Sequence, residues 1–332
     1  MDNSFYKQLT VSRGFKYNYF ALKRTLLDPD DRLPTLVFIH GFGVASKDWR
    51  HQASPTYPDR YSVIALDMLG YGGSAMPNAP EDLKQSLITQ DIIEILDVEN
   101  VTKAIFIGQG GGCPAISRIA QLHPDRVEAC AFLAISYAPP NPNFDFERVI
   151  ELQEQQFGYS LFGYWEFLGG DPHAAEIMGE KFEAFFNLNY PDDPTTWITH
   201  YAPPNALKTY LLSDDPLPSP SWFSPKEKKI QYDGIRGMNI NGPLTYYKAY
   251  LTGMQAEDSK DIPLARYTLD IPVFFGAALD DYISLPSIGK DMTATFCKHE
   301  KTRIHDFKAN HWVHLHVPEQ VNEVILDWLI SL

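Results

Sequence analysis

The sequence predicts an α/β protein: a mostly parallel, doubly wound sheet interrupted by a long, mainly helical insertion. Three observations predict it. Apolar runs at 35–39, 61–66, 102–107 and 127–135 alternate with turn residues and with segments of helical spacing, and strands that alternate with helices pair in parallel. The pattern breaks off after Ala138, where aromatic, proline and polar residues crowd 143–266, and it resumes at 271–275. At 332 residues and 44% hydrophobic content, the chain is long enough for one large sheet domain with an insertion. The expected division is a sheet domain from 1–138 and 267–332, with 139–266 as a cap.

Each element has a local reason. Segment 15–26 alternates aromatic and polar residues and reads as an antiparallel edge hairpin. Asp28, Pro29, Asp30 and Asp31 supply the turn that ends it. The run 35–39 is apolar throughout, hence a central strand, and leads into His40-Gly41-Phe42-Gly43. Ser46 is a good N-cap for a helix that follows. The strand at 61–66 ends at Asp67 and the loop Gly70-Tyr71-Gly72-Gly73-Ser74. Leu83, Leu87, Ile88, Ile92, Ile93 and Leu96 recur at helical spacing through 80–96. A buried strand at 102–107, a helix at 113–122 and a strand at 127–135 complete the first half. The insertion has helical stretches at 146–155, 174–187 and 244–253, broken up by Pro203, Pro204, Pro216, Pro218, Pro220 and Pro225. Strands at 271–275 and 302–307 and an amphipathic helix at 319–332 close the chain.

Composition narrows the function classes. A net charge of −14 argues against nucleic acid or an acidic membrane surface as partner. The first residues carry no apolar stretch of signal-peptide type, and no run of about 18 apolar residues occurs. Cys113, Cys130 and Cys297 are odd in number and far apart, so neither a disulfide framework nor a metal ribbon is expected. A cytoplasmic protein with reduced thiols, no membrane partner and no cofactor is the expectation.

The chemistry gathers around residues 108–112. A strand, the turn Gly108-Gln109-Gly110-Gly111-Gly112 and a helix follow one another, which is the context of the nucleophile elbow G-x-Ser-x-G. The outer glycines are present, and the central, nucleophile position holds Gly110. Glycine relaxes a turn that strains other residues. It also leaves room for water or a substrate group beside a pair of backbone donors. His311 follows the penultimate strand, and the chain order elbow, acid, histidine marks it as a catalytic-type imidazole. Asp280 and Asp281 compete for the acid, and the run Asp-aromatic-Ile-x-Leu-Pro favours Asp281. His311, His314 and His316 match no standard zinc spacing, so no metal is expected. Cys113 reads as a small buried hydrophobe, and Phe157, Tyr164 and Trp165 as apolar lining.

Seven motifs, in order, resemble the epoxide hydrolases of the α/β-hydrolase superfamily over nearly the whole chain. They are His40-Gly41-Phe42, the segment from Asp67 to Ser74, the strand into Gly108, Asn141-Pro142-Asn143 with Tyr159-Ser160-Leu161, Gly242-Pro243-Leu244-Thr245-Tyr246-Tyr247, Asp281-Tyr282-Ile283-Ser284-Leu285-Pro286, and His311-Trp312-Val313-His314-Leu315. The resemblance implies an α/β-hydrolase fold with a helical cap. It also implies His311 and Asp281 as the water-activating pair and Tyr159 and Tyr247 as donors to the epoxide oxygen. Backbone donors fall at Phe42 and Gly111, and pocket lining at His40, Gln109, Trp165 and Trp312. The family's elbow reads Gly-His-Asp-Trp-Gly, and its Asp forms an ester with substrate. Here that Asp is Gly110, and the proline usual after His-Gly-Phe is Gly43. The expected function is epoxide hydrolase-like chemistry on a largely apolar small molecule of secondary-metabolite type. Acid and base would act on water or on the substrate itself, without an ester. The rivals are a conventional hydrolase with another nucleophile and a ligand-binding homologue without turnover.

Overall fold

The structure, a computed structural model, describes residues 1–24, 34–53, 61–77 and 79–332. Its strands are β1 (Tyr6–Thr10), β2 (Lys16–Leu22), β3 (Thr35–Ile39), β4 (Ser62–Asp67), β5 (Ala104–Gln109), β6 (Val127–Leu133), β7 (Val273–Ala278) and β8 (Arg303–Phe307). They form one sheet in the order β1-β2-β4-β3-β5-β6-β7-β8. Strands β3 to β8 pair in parallel, while β2 runs antiparallel to both of its neighbours. The central strands are apolar on both faces because both faces are covered. Along β3, Leu36 and Phe38 enter the layer that holds Trp49 and Trp328, and Val37 and Ile39 enter the layer of Ile92, Phe106 and Ile116. Each large side chain buried this way contributes about 1.5–3 kcal/mol.

Several boundaries differ from expectation for physical reasons. The edge hairpin is β1 with β2, so its first strand lies upstream of 15–26. β1 is an edge strand with mostly polar, exposed residues and no apolar alternation to mark it. An ion pair holds the hairpin down: Arg13 Nε donates to Asp91 Oδ1 at 2.9 Å, and Tyr17 donates to Asp91 Oδ2 at 2.8 Å. The turn at Asp28–Asp31 lies outside the described residues. Ser46 caps no α-helix; a 3-10 helix, Ala45–His51, follows β3, and the Ser46 amide instead donates to Asp67 Oδ1 at 2.9 Å. The 80–96 segment breaks at Lys84, whose extended backbone separates a 3-10 turn from α1 (Gln85–Val98). Then α2 (Gly112–Leu122) follows β5.

Between β6 and β7 the described residues form helices, turns and irregular segments, with an isolated β-bridge from Leu269 to Cys297. They include α3 (Phe146–Phe157), a π-helical turn (Glu166–Gly170), α4 (Ala174–Glu180), α5 (Phe182–Asn189), α6 (Trp197–His200), α7 (Ala206–Leu211), α8 (Pro225–Arg236), α9 (Asn241–Leu251) and α10 (Met254–Glu257). The expected helix at 174–187 is two helices, because Lys181 leaves the helical conformation between α4 and α5. The sequence reading missed α8 by treating Pro225 as a breaker. Pro225 instead opens the helix, where its missing N–H costs nothing, and Ser224 Oγ caps it by accepting from the Glu227 amide at 3.2 Å.

Two helices seat the insertion on the sheet. On α8, Glu227 accepts from Arg50 Nε at 2.5 Å, Gln231 Nε2 donates to Asp48 Oδ1 at 2.9 Å, and Gly234 abuts Val44. On α9, Gly242 lies against the loop after β4, where a Cβ would stand 2.1 Å from the Gly70 carbonyl oxygen. That close approach lets Tyr246 donate to the Leu69 carbonyl at 3.0 Å. After β7 come α11 (Pro286–Phe296), β8, α12 (Val313–His316) and α13 (Pro318–Ile330). No helix among the described residues is long and apolar enough to cross a membrane.

The α9 contact makes a prediction. Gly242→Ala overpacks the joint and is expected to cost about 1–3 kcal/mol, read as a lower thermal midpoint. Gly179→Ala on α4, where an added Cβ meets nothing within 4 Å, is the control and should leave the midpoint unchanged or higher. Equal midpoints for the two variants would remove Gly242 as the fixed joint.

Candidate active site

The site forms at the carboxyl ends of the central strands. β5 ends in a sharp turn at Gly110, which has φ +52°, inside the left-handed region that favours glycine. Its amide donates to the Leu133 carbonyl at 3.2 Å, and its carbonyl accepts from the Cys113 amide at 3.0 Å. The turn therefore hands the chain from β5 to α2 with both backbone groups satisfied.

His311 stands over this turn. Its Nδ1 lies 2.6 Å from Asp281 Oδ2, and both residues are buried. The other carboxylate oxygen, Asp281 Oδ1, accepts from the amides of Ile283 at 3.0 Å and Ser284 at 2.9 Å. An acceptor-only carboxylate so placed assigns the proton to Nδ1 and leaves Nε2 with a free lone pair. A Cβ added at Gly110 would stand 3.0 Å from that Nε2. Asp280 plays no part: it pairs with Lys308 Nζ at 2.7 Å on the surface.

Gln109 corrects an expectation. It does not line the cavity. It is buried behind the turn, and its Nε2 donates to the His311 carbonyl at 3.0 Å, which fixes the backbone that carries the imidazole. His40 does line the cavity. Its Nδ1–H donates to the Gly41 carbonyl at 2.7 Å, because Nε2 must accept the Met68 amide at 3.1 Å. Burial lowers the His40 pKa and keeps it neutral. The residue holds the loop that presents the Phe42 amide. Gly111 borders the cavity, and a Cβ there would lie 3.9 Å from the Phe42 nitrogen. Among the described residues neither the Phe42 nor the Gly111 amide donates to a protein acceptor.

The cavity has a volume of about 300 Å³. Its wall includes the aromatic side chains of Tyr164, Trp165, Trp197, Tyr201, Tyr247 and Trp312. Trp197 and Trp312 flank His311 at ring distances of 5.7 and 5.2 Å. Trp312 is fixed by its own Nε1–H, which donates to the Asn189 carbonyl at 2.7 Å. Burial raises the Tyr247 phenol well above its ordinary pKa, so it stays a proton donor.

The tyrosine pair differs from expectation. Tyr247 lines the cavity, but Tyr159 does not. The Tyr159 hydroxyl donates to the Tyr282 carbonyl at 2.7 Å, on the loop that carries Asp281. Tyr164 is the phenol that shares the cavity with Tyr247, with ring centroids 5.8 Å apart. Spacing alone could not separate Tyr159 from Tyr164, since both precede the π-helical turn that aims the segment. Phe157 is also absent from the lining, while Tyr201, Tyr246 and Tyr250, which spacing does not single out among 18 tyrosines, belong to it.

Other candidates are accounted for. Burial pushes the Cys113 thiol up to about 12, so it offers no thiolate at neutral pH. His314 packs on Trp49 at 4.9 Å, and His316 Nδ1 accepts from the Asn310 amide at 3.2 Å. Among the described residues no group of three His, Cys, Asp or Glu is placed to hold a metal ion.

The family model described as "alpha/beta hydrolase fold" matches residues 34–316. Bifunctional epoxide hydrolase 2 of Mus musculus is 26% identical over 298 residues, covering 89% of this chain and 51% of that protein. The chain thus spans about half the length of that relative. Epoxide hydrolase A of Mycobacterium tuberculosis is 26% identical over 309 residues, covering 90% of this chain and 91% of that protein. Among solved structures, epoxide hydrolase A from Mycobacterium thermoresistibile superposes with a TM-score of 0.76 at 24% identity, covering 98% of each chain. Epoxide hydrolase VrEH1 from Vigna radiata superposes at 0.73 and 18% identity, covering 100% of each. The chain belongs to the α/β-hydrolase fold family, and within it is similar to epoxide hydrolases.

Proposed function

We propose that this protein is an epoxide hydrolase-like enzyme that acts on a small, largely apolar molecule by non-covalent acid/base chemistry. The observation that carries the reading is the buried His311–Asp281 pair whose free nitrogen faces a glycine. Residues 139–266 serve as the cap over a sheet domain made of 1–138 and 267–332. Three buried, unpaired cysteines suit a reducing compartment such as the cytoplasm.

In this mechanism Gly110 occupies the nucleophile position of the family and supplies no nucleophile. His311 Nε2 takes a proton from water or from a hydroxyl of the substrate. That oxygen attacks an epoxide carbon, the carbon–oxygen bond breaks, and the epoxide oxygen takes a proton from Tyr247, with Tyr164 beside it. The imidazolium then returns its proton to the phenolate. The product is a diol when water attacks and a cyclic ether bearing a hydroxyl when the substrate attacks itself. Asp281 orients the imidazole and stabilises its protonated form. The Phe42 and Gly111 amides are free to hold a second oxygen of the substrate or the attacking water.

His311→Ala is expected to lower turnover of an apolar probe such as trans-stilbene oxide by about 10²–10⁴-fold. Tyr247→Phe should lower the rate while keeping the fold, because it removes only the donor. Tyr159→Phe should leave the rate near wild type. Equal losses for the two phenylalanine variants would return Tyr159 to the site.

The deciding measurement is one turnover in ¹⁸O-labelled water, followed by mass spectrometry of product and protein. Label is expected in the product alone. Label in any protein carboxylate would mean that an ester does form, and the non-covalent reading would fall. Gly110→Asp should not improve the native reaction. Its Cβ would press on His311 Nε2 in a backbone conformation that asparagine and aspartate tolerate but do not favour.

A further inference from the structure

Besides Tyr164 and Tyr247, the cavity carries phenols that the proposed chemistry does not use. Tyr71, on the loop after β4, and Tyr250, on α9, both line it. Tyr71 is 6% exposed, and the Tyr250 ring rests on that of Trp165, 4.8 Å between centres. Among the described residues neither hydroxyl makes a hydrogen bond to a protein group, and neither is sealed in as Trp165 Nε1 is. The open space that such a hydroxyl meets is the cavity its residue lines. Their neighbour Tyr246 differs, because its hydroxyl is already spent on the Leu69 carbonyl at 3.0 Å.

The two hydroxyls form a pair. The Tyr246 ring stands 5.8 Å from that of Tyr71 and seats Tyr71 against α9. The Tyr250 phenol lies close enough to Tyr71 to act on its ionisation. Both also act on the Tyr247 phenol, so the pair lies beside the donor of the proposed reaction. Tyr247 and Tyr250 are three residues apart on α9, hence neighbours on one helix face with Cβ atoms about 5–6 Å apart. Burial pushes the Tyr250 phenol up to about 12 and the Tyr71 phenol well above its ordinary value, so both are proton donors at neutral pH.

The rest of the lining narrows what would meet them. Among the described residues no Asp, Glu, Lys or Arg lines the cavity. A carboxylate placed there would lose its hydration without gaining a cation. A hydrocarbon would cover the two hydroxyls and leave them unpaired. A neutral acceptor oxygen avoids both costs.

We infer that Tyr71 and Tyr250 are a second donor pair, which binds a second acceptor oxygen of the substrate one helical turn from the oxygen that Tyr247 holds. That oxygen is of ether, epoxide or carbonyl type. The substrate class is then an apolar skeleton that bears at least two such oxygens a few atoms apart. The inference rests on Tyr247 and Tyr164 holding the first oxygen in this cavity, and it adds what the same molecule carries beside it.

The test measures binding, so it does not depend on the catalytic mechanism. The probes are 1-phenylpentane-1,4-dione and 1-phenylpentan-1-one, which share a skeleton and differ in the second carbonyl. Neither is an epoxide, and each is titrated by calorimetry into the full chain. A plain apolar cavity would favour the monoketone, because the second carbonyl of the dione must leave water. The second pair reverses that order: the dione is expected to bind at least about fivefold more tightly, the net worth of one hydrogen bond. Tyr71→Phe and Tyr250→Phe keep the rings, and each should weaken the dione about fivefold while changing the monoketone less than about twofold. Either variant serves if the other does not fold. A purely structural role for these residues would weaken both ketones alike. A crystal structure with the dione should place one carbonyl oxygen on Tyr71 and Tyr250. Equal or tighter binding of the monoketone, equal losses for the two ketones in the variants, or a structure with both carbonyls away from Tyr71 and Tyr250 would each overturn the inference. Turnover that proceeds through an ester would change the mechanism and leave the second pair standing.

Discussion

The hydrogen bond between His311 Nδ1 and Asp281 sets the geometry of the whole site. At 2.6 Å and out of water, it fixes which nitrogen carries the proton and which way the ring faces. The acid is itself held by the amides of Ile283 and Ser284, so its two oxygens have separate tasks. The ring is pinned from its backbone side by Gln109 and flanked by Trp197 and Trp312. An imidazole held this firmly keeps one orientation, and a preorganised group gains over water because it need not reorganise.

The insertion matters to the same geometry. Its helices α8 and α9 rest on the loops after β3 and β4, through Glu227, Gln231, Gly234 and Gly242. Those loops also carry the Phe42 amide and Tyr71, which border the cavity. The wall that brings Tyr164, Tyr247 and Tyr250 and the floor that brings the backbone donors are therefore registered to each other by direct contact. A shift of α9 would move Tyr247 relative to His311 and alter the cavity at once.

The parallel strands were legible because each is a continuous apolar run bounded by turn residues, and a strand covered on both faces has no other signature. The acid and the histidine were legible because their order along the chain reflects the order of strands in the sheet. Other features rest on interactions that adjacent residues do not encode. Strand β1 is polar because it lies at the edge. Helix α8 begins at a proline, and only the cap at Ser224 distinguishes that start from a break. Gln109 faces away from the cavity because the carbonyl to which it donates belongs to His311, a residue far along the chain. Tyr164 faces the cavity beside Tyr247 while Tyr159 turns to the Tyr282 carbonyl, and residue spacing does not carry that information.

Gln109, Gly110 and Gly111, at the end of β5 and in the turn after it, form one arrangement. Gln109 ties the turn to the His311 carbonyl at 3.0 Å. Gly110 leaves the imidazole close over the turn, since a Cβ there would begin 3.0 Å from Nε2, a contact that asks the ring to give by a few tenths of an ångström. Gly111 places no side chain over the cavity floor, where a Cβ would meet nothing nearer than 3.7 Å, so its absence widens the cavity and relieves no clash. An imidazole close over a bare turn presents its free nitrogen to the cavity, and this supports the proposed reading in which the reacting oxygen is water or part of the substrate.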